Sequence, residues 1–153
     1  MPIFKYSFSS YDPLLHVRAS GREVDVSHKA AREVCKTIKG KPLLKAKNYL
    51  EEVMLKRAPV HFRRYKKQVA HATSTEKFHS GRYPVKAAKE VLTVLESIEA
   101  NAEFKGLDAE RVKIVHAAAF PGRKVRGYTP RAYGRSSPSD NTLVHIEIVA
   151  GDV

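Results

Sequence analysis

Two segments near the end of the chain alternate apolar and polar residues, yet a connection of about twenty residues separates them, where hairpin loops usually take about two to five. The segments are 111–119 (RVKIVHAAA) and 142–150 (TLVHIEIVA), and this alternation is typical of half-buried strands. The connection contains five Arg or Lys, three Gly, three Pro and one acid, which leaves little to form a core. The sequence therefore predicts two paired strands that carry a long arm, defined as residues 120–142.

Three other segments place apolar residues at helical spacing. Ser27 is a good N-cap for a first helix that Gly40 ends, and Cys35 lies on its apolar stripe as a core residue. Pro42 begins a second helix that reaches residue 57, and a third runs over 84–106. Residues 14–20 predict one more strand, and the first twelve residues resemble a tail.

These segments predict a single α+β domain over residues 1–153. We expect three helices packed on a small three-stranded antiparallel sheet, made from the first strand and the final pair, with a long protruding β-hairpin. The 42% of hydrophobic residues is enough to supply a core.

The charges are segregated along the chain. Lys and Arg number 28 against 16 Asp and Glu, a formal charge of +12. Residues 53–89 hold ten cations and one acid, and residues 111–139 hold seven cations and no acid. Between them, residues 90–110 hold six acids and one Lys. An ordinary solvated surface mixes the two signs, so this pattern predicts a polyanionic partner bound by the two basic regions.

Ordering the arm costs about 1–2 kcal/mol of backbone entropy per residue. The arm lacks the apolar residues whose burial would offset this cost. Pro121, Pro130 and Pro138 lack the N–H that a strand ladder uses. An extended leg of about ten residues would reach roughly 30 Å, at ~3.3 Å per residue. Arg offers forked donors to phosphate, and Tyr128 and Tyr133 offer faces for unpaired bases. We therefore expect a nucleic acid to order the arm. We expect this nucleic acid to be irregular RNA rather than a DNA duplex bound through its groove.

Residues 61–68 (HFRRYKKQ) repeat this pattern on a smaller scale, with four cations interleaved with two aromatic residues. They lie in a basic segment, defined as residues 57–83, which also contains Arg82. We expect this segment to anchor the body on RNA. Phe62 and Tyr65 either pack on the helices or stack on bases.

Catalysis and metal binding are disfavoured, and we expect neither an enzyme nor a cofactor. The single Cys35 excludes an internal disulfide and the Cys-pair zinc patterns, and there is no HExxH helix. His61, His71 and His79 lie in the basic segment, where Glu76 is the only carboxylate that could orient one of them.

A membrane role is also disfavoured, because no apolar run approaches the ~20 residues that span a bilayer and no signal peptide is apparent. We expect a soluble intracellular protein. A DNA-binding, chromatin-type basic protein is the alternative, since phosphate contacts carry no sequence information. Against it, the sequence shows no helix pair with a basic recognition helix, and the third helix is acidic.

Five motifs, in this order, resemble the large-subunit ribosomal protein family L twenty-two, in its archaeal and eukaryotic branch. They are VRASGREVDVSHKAAREVCKTIKGK, GRYP, NAEFKGLD, PRAYGR and HIEIV, spread from about residue 17 to residue 149. The resemblance implies a small domain of the cytoplasmic large ribosomal subunit, near the exit of the nascent-peptide tunnel. Its hairpin would thread into ribosomal RNA and line the tunnel wall. The implied partners are ribosomal RNA, neighbouring ribosomal proteins and the nascent peptide, with no homo-oligomer.

The resemblance also assigns roles to residues of this chain. RGYTPR (126–131) would lie nearest the tip, and the basic segment resembles an insertion absent from the shorter bacterial proteins. The return leg, SSPSDN, has no cation where many members have one, so no phosphate contact is assigned there. The expected tunnel-lining residues are Gly127, Tyr128, Thr129 and Pro130. The expected RNA-binding residues are Arg63, Arg64, Tyr65, Lys66, Lys67, Arg82, Arg123, Lys124, Arg126, Arg131, Tyr133 and Arg135.

Overall fold

The computed structural model of the protein describes residues 5–72, 79–108 and 110–152. A 3-10 turn at Ala132–Gly134 lies within the arm. In chain order, the helices and strands are β1 (His16–Val24), α1 (His28–Ile38), α2 (Leu43–Met54), β2 (Val60–His61), β3 (Gly81–Arg82), α3 (Val85–Phe104), β4 (Val112–Val125), β5 (Tyr128–Pro130), β6 (Ser136–Pro138) and β7 (Asn141–Asp152).

The core lies between the helices and one face of a three-stranded antiparallel sheet with the order β1-β7-β4. The α+β prediction is therefore confirmed. α1 and α3 pack on the sheet, and α2 packs mainly on α3. Val34, Leu95 and Ile148, from α1, α3 and β7, are fully buried in this core. Cys35 is buried there as well, and burial raises the pKa of its thiol to about 12, which makes it an inert core residue.

The element boundaries differ from the predicted ones by a few residues. Ser27 stands at the N-cap of α1 in an extended conformation, but its side chain makes no capping hydrogen bond. Gly40 follows α1 with φ +83°, a left-handed conformation that glycine adopts without strain. β1 begins at His16 rather than residue 14, and β4 continues to Val125, well past the predicted end at residue 119.

The prediction that the first twelve residues form a tail is wrong for residues 5–12, which pack on the outer face of the sheet. The backbone N–H of Ser7 donates to both carboxylate oxygens of Glu147, at 3.2 and 3.1 Å. The ring of Phe8 lies 5.5 Å from that of His116. Glu147 is only 2% exposed and alternates with Ile146 and Ile148, which face the helices, so this segment covers the opposite face.

Candidate nucleic-acid interface

The arm pairs with itself over much of its length. The β4–β7 ladder extends to the pair Val125↔Asn141, and β5 then pairs with β6. Between these two ladders, the N–H of Ser139 donates to the carbonyl of Gly127 at 2.7 Å. A Cβ atom at Gly127 would lie 2.8 Å from the Ser139 carbonyl oxygen, so glycine is needed for this close approach.

The chain reverses at residues 131–135, so the expected tip at 126–131 is misplaced by a few residues. The N–H of Arg131 donates to the carbonyl of Arg135 at 2.8 Å and closes the turn. Tyr133 (φ 57°) and Gly134 (φ 66°) both adopt left-handed conformations. Two such residues in succession reverse the direction of the backbone, whereas residues 128–130 are extended in β5.

The side chains of the arm point mainly into solvent. Tyr133 at the turn is 97% exposed and Tyr128 is 68% exposed. Arg131 donates from Nε to the Ser137 hydroxyl at 3.3 Å, and Arg123 Nε lies 3.7 Å from a carboxylate oxygen of Glu23. All of the predicted cationic residues of the arm are exposed: Arg123, Lys124, Arg126, Arg131 and Arg135. They are free to meet an external anion, because none of their charges is buried in the body.

A buried carboxylate holds the start of the basic segment against α1. Glu33 is fully buried, and its oxygens accept hydrogen bonds from the backbone N–H of Arg63 at 3.1 Å and of Arg64 at 3.2 Å. Its Oε1 also accepts from Nη1 of Arg32 at 2.8 Å. Sequence reasoning missed Glu33, whose only signal is an acid on the apolar side of an otherwise basic helix.

The two aromatic residues of the basic segment have different surroundings. Phe62 is 4% exposed and therefore packs in the body. Tyr65 is half-buried, and three cations face its ring: Lys29 at 5.7 Å, Arg32 at 5.7 Å and Arg64 at 5.9 Å. Such cation–π contacts fix both the ring and the cations. Tyr65 is thus a partly open aromatic face within a cationic cluster.

The remaining residues predicted in the basic segment lie at the surface. Lys66 and Lys67 are exposed, as is Arg82 on the far side of the segment. Arg82 donates to the carbonyl of Gln68 at 3.5 Å, and its guanidinium lies 5.8 Å from the ring centre of Phe62. A hollow of about 270 Å³ is lined by Lys29, Arg64, Tyr65, Lys67 and Arg82.

The first turn of α1 joins the basic segment to the arm. A groove of about 720 Å³ is lined by Ser27, His28 and Lys29 on one side and by Lys86, Lys124 and Asn141 on the others. Lys29 lines both this groove and the smaller hollow at the basic segment. Two basic regions that are far apart in sequence therefore form one continuous surface.

Asp25 links two residues that line the 720 Å³ groove, Lys86 and Asn141. Its carboxylate accepts hydrogen bonds from Asn141 at 2.7 Å and from Lys86 at 2.8 Å. The hydrogen bond from Asn141, followed by the hydrogen bond and charge of Lys86, lowers the pKa of Asp25. Asn141 begins β7, so this contact ties the base of the arm to the loop before α1. Sequence reasoning assigned roles to neither Lys29 nor Asp25.

Ser7, His116 and Glu147 approach one another but lack the arrangement of a hydrolase triad. Nε2 of His116 lies 3.2 Å from the Ser7 hydroxyl and 3.1 Å from the Glu147 carboxylate. A triad requires the carboxylate on Nδ1 and the nucleophile on Nε2, whereas here one nitrogen faces both groups. This cluster fastens residues 5–12 to the sheet.

Two further observations concern metals and membranes. Within residues 5–72, 79–108 and 110–152, no group of three or more His, Cys, Asp or Glu side chains is placed to hold a metal ion. Among the same residues, no helix has the length and apolar character to cross a membrane.

Comparison with known proteins identifies the family. The family model described as "Ribosomal protein L22p/L17e" matches residues 19–151. The "Large ribosomal subunit protein uL22" of Nitrosopumilus maritimus is 49% identical over 150 residues, which cover 98% of each chain. That of Cenarchaeum symbiosum is 48% identical over 147 residues, 96% of each chain. That of Thermofilum pendens is 44% identical over 153 residues, 100% of this chain and 99% of the relative. The chain therefore belongs to the ribosomal protein L22p/L17e family, a structural family of the large ribosomal subunit, as the order of its motifs predicts.

Proposed function

We propose that this constituent of the large ribosomal subunit binds ribosomal RNA through the surface that joins the arm, the first turn of α1 and the basic segment. The observation that carries the proposal is the meeting of the two basic regions at Lys29. A continuous cationic surface can follow a folded RNA backbone over many phosphates, and each neutralised phosphate adds affinity by releasing counterions. Among the residues that line its two hollows are Arg64, Tyr65, Lys67, Arg82 and Lys124, which we propose as RNA-binding residues.

The arm has the second role in this proposal. It is embedded in RNA through its cations, with Tyr128 and Tyr133 stacked on unpaired bases. Gly127, Tyr128, Thr129 and Pro130 lie along the outgoing leg before the turn. We propose that these residues, with the turn at Ala132–Gly134, approach the nascent peptide in the exit tunnel. The protein then works in the cytoplasm as a non-catalytic scaffold, with neighbouring ribosomal proteins around its body.

The DNA-binding alternative is less well supported. Glu96 and Glu103 are exposed on α3, the longest helix, and would repel a DNA groove. The exposed tyrosines of the arm suit unpaired bases, which folded RNA offers and a DNA duplex conceals. These observations favour structured RNA as the partner.

Sedimentation tests the proposed function. A tagged copy of the chain should co-migrate with large subunits and intact ribosomes on a sucrose gradient of cell lysate, and should remain with them after a high-salt wash. Treatment with RNase beforehand should release it, whereas DNase should not. Migration at the top of the gradient, or with chromatin in a DNase-sensitive form, would contradict the proposal.

The arm should exchange its amide hydrogens rapidly in the free protein. Its side chains pack on no core, and a two-stranded ribbon is marginal in water, so it opens at little cost in free energy. β7, with Val144, Ile146 and Ile148 fully buried, should exchange far more slowly. Hydrogen–deuterium exchange with mass spectrometry should show fast exchange over residues 126–139 that slows when ribosomal RNA is added. Equal protection of the arm and β7 without RNA would argue against ordering by RNA.

A further inference from the structure

A further groove of about 470 Å³ runs between α1 and β4 and adjoins the surface assigned above at His28, Tyr65 and Pro121. One wall is formed by His28, Arg32, Lys36 and Lys39, whose spacings of four, four and three residues put them on one face of the helix and its end. The groove also contains residues 117–121 of β4. It is therefore a cationic trough that begins beside Tyr65 and reaches the base of the arm.

The side of the trough formed by β4 allows a ligand backbone to approach the strand closely. It includes three residues with small side chains, Ala117, Ala118 and Ala119, which leave the backbone of the strand accessible. β4 is an edge strand of the sheet, so half of its backbone N–H and C=O groups point away from β7. Residues 40–41 cover that edge only near its start, where Gly40 donates to the carbonyl of Ile114 at 2.8 Å and Ile114 donates to that of Lys41 at 3.0 Å. Further along, at residues 117–119, the edge borders the groove.

Two aromatic residues lie in the trough with the cations. Tyr65 presents its half-buried ring beside Arg32, and Phe120, at the base of the arm, is 41% exposed although it is a large apolar residue. Cations that follow a backbone, combined with aromatic faces for bases, characterise sites for single-stranded nucleic acid. Paired bases are stacked inside a helix and could not reach these rings.

We infer that the groove between α1 and β4 seats an unpaired strand of RNA, with Arg32, Lys36 and Lys39 at its phosphates and Tyr65 and Phe120 against its bases. The inference rests on the proposed function and deepens it, because it assigns a face of α1 that the sequence reasoning left out. It also specifies that this face binds RNA in its unpaired form. The arm and this groove then hold different parts of the same RNA.

Salt titration of RNA binding by the purified full-length chain tests the inference. For the double variant Lys36→Gln/Lys39→Gln, the slope of log affinity for oligouridylate against log salt should shrink by about 1.4, at about 0.7 per phosphate contact on single strands. Between about 50 and 200 mM salt, the parent should lose about sevenfold more affinity than this variant. The matched control is Lys45→Gln/Lys56→Gln. It replaces one exposed lysine in α2 and one exposed lysine just after that helix. The control should keep the parent slope, and equal slopes in both variants would overturn the inference.

A steric variant and a crosslink separate this inference from the proposed function. Ala117→Leu keeps every charge but narrows the groove, so it should weaken oligouridylate binding while leaving binding of duplex RNA of the same length unchanged. Oligouridylate that carries 4-thiouridine should crosslink to peptides containing Tyr65 or Phe120. Crosslinks confined to residues 123–135, with normal binding by Ala117→Leu, would refute the groove and leave the arm as an RNA site. If the parent chain itself bound no RNA, that result would instead refute the proposed function.

Discussion

Replacing the five cations of the arm with glutamine should lower the affinity for ribosomal RNA by about a thousandfold at about 100 mM salt. The variant changes Arg123, Lys124, Arg126, Arg131 and Arg135, all of which are exposed. Because the variant can no longer neutralise five phosphates, the slope of log affinity against log salt should shrink by about 3.5, at about 0.7 per phosphate on irregular RNA. Between about 50 and 200 mM salt, the parent should therefore lose about a hundredfold more affinity than the variant. Filter binding to a transcript of the large-subunit RNA measures both quantities.

A second five-fold variant separates this effect from that of net charge. It changes exposed cations outside the arm, the basic segment and the α1 face, so both variants reduce the formal charge from +12 to +7 (12 − 5 = 7). The control positions are Lys5, Lys45, Lys56, Lys89 and Arg111. A general attraction between a basic protein and RNA would weaken equally in both. If the two slopes fall together, the arm is not a specific RNA-binding element.

The fold was largely predictable because its signals are local. Helix ends follow from the proline at residue 42 and the glycine at residue 40, and the apolar spacing of each helix defines its buried face. The two strands at the end of the chain were evident from their alternation. Their pairing continues into the arm through Val125↔Asn141, a step that residue-by-residue alternation cannot reveal because both faces of that ribbon are exposed.

The features that the sequence did not reveal depend on contacts between distant residues. Ser7 meets Glu147 from 140 positions away, so nothing in the first twelve residues distinguishes a packed segment from a tail. The joining of the two basic regions was missed for a related reason. The charge counts along the chain covered residues 53–139 and so left out Lys29 and Arg32 of α1, whereas in the fold these residues lie beside Tyr65. Helical spacing of the cations was the available signal.

Glu33→Ala should lower the free energy of unfolding by about 3 kcal/mol, the lower end of the range for breaking a buried ion pair. The lower end applies because the side chain of Arg32 is 27% exposed, whereas Glu33 is fully buried. The change also takes the acceptor from the N–H groups of Arg63 and Arg64, which are only partly buried and so cost less than the ~1–3 kcal/mol of a fully buried unsatisfied donor. Guanidinium unfolding followed by far-ultraviolet circular dichroism measures the loss, since the chain has no Trp.

The same change should also weaken RNA binding, although Glu33 carries the charge that RNA repels. Released from α1, residues 63–67 lose their fixed position beside Lys29 and Arg32, so their cations must be ordered again on binding, at a cost in entropy. The matched control is Glu96→Ala, which removes an exposed acid from α3. It should change stability by no more than about 0.5 kcal/mol and, by removing negative charge, should leave RNA affinity equal or slightly higher. An increase in affinity for Glu33→Ala like that of the control would show that Glu33 acts only through its charge and does not position the basic segment.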